Sequence, residues 1–236
     1  MKNRIEIGNL TCLCCRHSSE RIAYILYPMD VLSDWIEPAA KKYDVSIVVI
    51  TGMDWDDDLT PWPAPGVPDG SPDFKGLAPQ FLNTLQTTVV PAIEKHLQIQ
   101  PAQRDLTGVS LSGLFTLWQW VECDTFMNIA SLSGSFWYQG FAEWFDRNLP
   151  IGKQGKAYFL LGELEHESDV LQFRCVNEAT DNIVENLRNA RVKVKFDMVP
   201  GNHYQFLLQR IDKAFSNLYL TDGRRTESVS GLDAYT

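Results

Sequence analysis

Gly108-Val109-Ser110-Leu111-Ser112-Gly113 sets a serine among small residues. The G-x-S-x-S spacing differs by one residue from the G-x-S-x-G nucleophile elbow. In that elbow a tight strand-to-helix turn lifts the hydroxyl off the end of a sheet. Small neighbours let other chain segments approach the turn closely. Ser110 is therefore a candidate nucleophile, and the backbone N–H of Leu111 a candidate donor to a developing oxyanion. Ser112 is a rival nucleophile. A plain helix-capping role for Ser110 is the structural alternative. The surroundings favour chemistry, because a strand reads at 104–109 and an apolar helix at 111–121.

A serine nucleophile needs a base. Of the four histidines, His17 lies beside the cysteines, His96 near the end of a helix and His166 in a charged loop. His203 lies in Val199-Pro-Gly-Asn-His203, just past a strand at 192–199, where α/β proteins place reactive groups. An acid that orients the imidazole belongs after the strand at 157–161. There the chain offers Glu163, Glu165 and Asp169, and spacing alone does not choose among them. The chain order serine, acid, histidine is one that carries such triads.

Further elements must position these groups. Strands read at 21–28, 45–51 and 127–133, and helices at 31–43, 81–98, 172–190 and 204–219. Strand–helix alternation rich in Val and Ile predicts an α/β fold, a mostly parallel sheet with helices on both faces. The 236 residues fit one domain, 1–236, with a polar tail at 221–236 expected to be loose. The composition is 44% hydrophobic and 22% charged, which excludes a disordered or collagen-like chain. No apolar run reaches membrane-spanning length, and MKNRIEIGNL lacks a signal-peptide core. A net charge of −9 argues against nucleic-acid and anionic-membrane partners. Five cysteines include Cys12-x-x-Cys15 with no second ligand pair, so packed free thiols in a reducing cytoplasm are expected. The loop Asp54-Trp55-Asp56-Asp57-Asp58-Leu59-Thr60-Pro61-Trp62 has Leu59 and Pro65 where a calcium loop requires Gly and Glu. It reads instead as a proline-stiffened wall or lid at the reactive edge, with Trp55 and Trp62 as apolar contacts. The aromatic stretch from Phe136 to Phe145 adds Trp137 as a candidate substrate contact.

Together these stretches resemble the esterase family of α/β-hydrolases that includes esterase D and the enterobactin-type siderophore esterases. Asp58-Leu-Thr-Pro-Trp62-Pro, Gly108-Val-Ser110, Ser131-Leu-Ser-Gly134-Ser135-Phe-Trp137, Gly162-Glu-Leu-Glu165 and Gly201-Asn-His203 carry the likeness, over about residues 20–220. The resemblance implies an α/β-hydrolase fold with Ser110 as nucleophile, His203 as base and Glu165 as acid. It implies a serine hydrolase that cleaves a small-molecule carboxylic ester through an acyl-enzyme, without a metal or cofactor. Ser112 departs from the family glycine. Met29-Asp30 departs from the family's residues after the first parallel strand, where Met29 would give the second oxyanion donor. Thioesterase or acyltransferase chemistry on the same triad, and a noncatalytic binding protein on this fold, stay open as alternatives.

Overall fold

A strand that is apolar on both faces needs cover on both. Ser46–Thr51 is such a strand: Ile47 and Val49 enter one core, Val48 and Ile50 the other. The computed structural model describes residues 2–220, and the tail at 221–236 lies outside the described residues. Among the described residues there are eight strands: β1 (Lys2–Ile7), β2 (Leu10–Cys15), β3 (Arg21–Leu26), β4 (Ser46–Thr51), β5 (Gln103–Val109), β6 (Asn128–Leu132), β7 (Lys156–Gly162) and β8 (Lys193–Val199). They form one sheet in the order β1-β2-β4-β3-β5-β6-β7-β8. β3 to β8 pair in parallel; β2 runs antiparallel to β4 and to β1.

The helices are α1 (Ile36–Tyr43), α2 (Ala78–Thr84), α3 (Val90–Leu97), α4 (Leu111–Glu122), α5 (Phe141–Arg147), α6 (Val176–Asn189) and α7 (Leu207–Tyr219). α1 and α7 cover one face, through Ile36, Tyr43, Ile211 and Phe215. α2 to α6 cover the other. α4 follows the serine and is buried almost all round, as its Leu114, Phe115, Leu117 and Trp120 dictate. Among the described residues no helix is long and apolar enough to cross a membrane.

The sheet and its helices follow the sequence reading, with instructive differences. The β1–β2 hairpin extends the sheet beyond the expected strands. Its outer strand alternates exposed and half-buried residues and turns at Gly8 (φ 63°). α1 starts at Ile36 rather than 31, because Pro38 is tolerated only in a first turn. The helix expected at 81–98 starts at Ala78 and carries a π turn over Leu85–Val89. There Val90 N–H reaches back to Leu85 O, just ahead of Pro91. α7 begins at Leu207 rather than 204, so three loop residues separate His203 from the helix.

β2 also settles the geometry of the C-x-x-C pair. Three residues apart on a strand, Cys12 and Cys15 point to opposite faces and enter different cores. Burial pushes the Cys12 and Cys14 thiols up to about 12, far from a reactive thiolate.

Candidate functional site

The parallel strands end at one edge, and the loops leaving that edge build the site. β5 ends at Val109 and α4 begins at Leu111, so Ser110 alone makes the turn. It adopts φ 57°, ψ −123°, a conformation that non-glycine residues hold only when their surroundings enforce it. Three contacts enforce it here. Ser110 N–H donates to Leu132 O (3.0 Å), and Ser110 O accepts Leu114 N–H and Ser135 N–H, each at 3.1 Å. Gly108 is required because a Cβ there would strike the Ser112 carbonyl.

The Ser112 substitution has a structural account. Its hydroxyl accepts Val109 N–H (2.7 Å) and lies 2.8 Å from the Leu26 and Val109 carbonyls, either of which can take its proton. It thereby ties the end of β3 to the elbow. Fully buried and turned toward β3, it does not share the edge position of Ser110.

The histidine and the acid arrive from the loops after β8 and β7. His203 Nε2 lies 3.0 Å from Ser110 Oγ, and His203 Nδ1 lies 3.0 Å from Glu165 Oε2. Glu163 N–H donates to Val199 O, and Leu164 N–H to Gly201 O, so the two loops are stapled together. The short turn Glu165–Glu167 then points Glu165 inward, only 4% exposed, while Glu163 and Asp169 stay at the surface. Its Oε1 accepts Gly162 N–H (2.7 Å), Ser133 Oγ–H (2.6 Å) and Arg210 Nη1–H (2.9 Å). Burial pushes this carboxyl up. Hydrogen bonds from His203 and Ser133, the imidazole's charge and the Gly162 N–H outweigh it and hold the carboxyl below the usual glutamate range. The other histidines lie elsewhere: His17 faces Asp44 at 3.5 Å, His96 ends α3, and His166 is exposed.

Leu111 opens α4, so its N–H belongs to the first turn, which has no intrahelical acceptor. Met29 sits in the turn after β3, with 54% of its surface exposed. Leu26 pairs with Gly108 in the sheet, so that turn begins beside the elbow.

The tryptophans hold different posts. Trp55 packs edge-on to Tyr27, in the same segment as Met29 (centroids 6.4 Å apart). Trp62 donates its indole N–H to Gln139 O (2.9 Å) and lies against Tyr138, Phe141 and Trp144. It joins loop 52–77 to α5, a helix that the aromatic stretch concealed in sequence. Trp137 lies tilted against Phe173 (centroids 4.5 Å apart) and lines a cavity of about 300 Å³ with Pro65, Val67, Phe74 and Gln172.

Three site residues escaped the sequence reading. Ser135 Oγ lies 3.4 Å from Ser110 Oγ, and Ser133 and Arg210 grip the acid. Ser133 and Ser135 fall in Ser131-Leu-Ser-Gly134-Ser135-Phe-Trp137, where the sequence alone gives them no role. Arg210 had a signal of its own: a charge on the apolar stripe of α7, beside Ile211 and Ala214.

Comparison with known proteins agrees with this architecture. The structure superposes on a siderophore hydrolase, EstA, from Aspergillus nidulans with a TM-score of 0.73 at 14% identity, over 93% of each chain. It matches BES protein from Bacillus cereus with a TM-score of 0.70 at 18% identity, over 94% of this chain and 96% of that one. The enterobactin and salmochelin hydrolase IroE gives a TM-score of 0.68 at 17% identity, over 94% and 95%. In sequence, an uncharacterized Bacillus subtilis (strain 168) protein, YbbA, is 31% identical over 114 residues, which span 46% of each chain. The match thus covers just under half the length of that relative. The model of the family described as "Putative esterase" matches residues 28–205, and the chain therefore belongs to that family, on an α/β-hydrolase fold.

Proposed function

We propose that the protein is a serine hydrolase that cleaves a carboxylic ester through an acyl-enzyme. The observation that carries the reading is the unbroken relay from Ser110 Oγ through the His203 ring to Glu165. Membership of an esterase family supports the substrate class.

In this reading His203 Nε2 takes the Ser110 proton as Oγ attacks the ester carbonyl carbon. The carbonyl oxygen becomes an oxyanion, held by the N–H of Leu111 and by a second donor at Met29. Glu165 keeps the ring proton on Nδ1 and stabilises the imidazolium. Collapse of the tetrahedral species breaks the ester C–O bond, and His203 returns its proton to the leaving alcohol. A water that loses its proton to His203 then attacks the acyl-serine, releasing the acid and restoring Ser110. Trp55 and Trp137 supply apolar surface for the substrate, while Trp62 packs loop 52–77 against α5. A reducing, cytoplasmic setting goes with the free thiols at Cys12, Cys14, Cys15, Cys123 and Cys175.

Hydrolysis of short p-nitrophenyl esters and of matched thioesters by the wild type and by Ser110→Ala tests the reading. The wild type should prefer the oxygen ester, and Ser110→Ala should lose on the order of 10⁴-fold or more. Hydrolysis at the wild-type rate by Ser110→Ala would remove the proposal; a strong thioester preference would move it to thioesterase chemistry.

A further inference from the structure

Arg210 lies on the buried face of α7 with 2% of its surface exposed, among Ile211, Ala214 and Phe215. Burying a guanidinium is costly, and a well-packed apolar side chain commonly serves stability as well or better. Stability is therefore a weak reason for its presence. Its contacts suggest another. Nη1 donates to Glu165 Oε1 (2.9 Å) and Ser133 Oγ (2.7 Å), while Nη2 donates to the Asn202 carbonyl (2.6 Å). One planar group thus grips the loops after β6, β7 and β8. Asn202 directly precedes His203. Gly162 leaves room for the arrangement, since a Cβ there would lie 2.5 Å from Nη2.

We propose that Arg210 is a positioning residue for the catalytic pair: anchored on the Asn202 carbonyl, its rigid fork holds the Glu165 carboxylate in place to meet His203. The inference rests on the roles proposed above for Ser110, His203 and Glu165. With three donors on Oε1, the carboxylate cannot swing, and Oε2 is left to meet His203 Nδ1. The guanidinium also favours the ionised carboxylate. A protonated Glu165 could donate to Nδ1 and shift the ring proton to Nε2. Nε2 would then face Ser110 without the lone pair that must accept its proton.

A double-mutant cycle on the full chain, with p-nitrophenyl acetate as probe, tests this. Arg210→Met should lower kcat by roughly 10- to 100-fold with KM within about threefold, because the fault lies in the base rather than in binding. In a Glu165→Gln background the same change should cost less than about threefold more, since the group it acts through is already gone. Equal losses in both backgrounds would assign Arg210 a merely structural role and overturn the inference, as would unaltered kcat in folded Arg210→Met. If Arg210→Met does not fold, two variants decide. The charge-balanced Glu165→Gln/Arg210→Met should match Glu165→Gln in kcat. Arg210→Lys keeps the charge but cannot span both acceptors, and should lose roughly 3- to 10-fold in kcat. A further large loss in the former, or wild-type kcat in the latter, overturns the inference. Failure of the underlying reading looks different: Ser110→Ala or His203→Ala would then retain activity, whatever the cycle gives.

Discussion

Two loops at the same sheet edge each bury a carboxylate, and they use its oxygens differently. In loop 52–77, Asp57 turns both oxygens on one residue: Oδ1 accepts Lys75 N–H (2.9 Å) and Oδ2 accepts its ammonium. The Asp57 carbonyl accepts Leu77 N–H as well, so the loop is closed on itself. The Lys75 hydrogen bond holds the Asp57 carboxyl below its ordinary range. In the loop after β7, Glu165 gathers three donors on Oε1 and offers Oε2 to His203. A buried, stabilised carboxylate is thus not in itself a mark of chemistry. The mark is an oxygen directed at a group that can change its charge.

The widest separation should come from neutralising each acid. Glu165→Gln should lower kcat by roughly 10²- to 10⁴-fold, since an amide cannot stabilise the imidazolium. Asp57→Asn should leave kcat within about threefold, lower the melting temperature and raise KM if loop 52–77 walls the substrate. Equal kcat losses in steady-state kinetics would erase the distinction between the two loops.

Acid should separate them next. Both carboxyls lie below their ordinary values, 4.5 for Glu165 and 3.8 for Asp57. A carboxyl lowered by folding stabilises the native state above its unfolded value, and that contribution is lost as pH falls through the folded value. Melting temperature should therefore fall as pH drops below about 4.5, and Glu165→Gln should flatten the first part of that fall. Asp57→Asn should flatten only the part below about 3.8. Identical acid profiles for both variants and the wild type would contradict the linkage.

The smallest effect should come from placing the glycine of the G-x-S-x-G elbow at position 112. Ser112→Gly removes the ties to Val109 and Leu26 and adds backbone freedom in α4. The expected cost is about 1–2 kcal/mol of stability with kcat within about threefold, read by denaturant melts and kinetics. A 100-fold loss of kcat would mean that Ser112 takes part in the chemistry.

The same contrast explains what the sequence could disclose. The elbow was legible because its parts are contiguous: β5, a serine among small residues and an apolar helix. His203 was legible from its place after β8. That Glu165, and neither Glu163 nor Asp169, meets His203 was not fixed by spacing. It depends on an inward turn at 165–167 and on donors from the loop after β6 and from α7, distant in sequence. The β1–β2 hairpin was hidden because its outer strand is half-solvated and half of its inner strand is cysteine. α5 was hidden among aromatics that read equally well as a binding surface, and Trp62 shows how much of that surface is internal packing.

Covalent labelling tests the centre of this account most directly. A fluorophosphonate probe followed by peptide mass spectrometry should place one adduct on Ser110, and His203→Ala should slow its formation by orders of magnitude. An adduct on Ser112 or Ser135, or labelling of Ser110 at the same rate without His203, would contradict it.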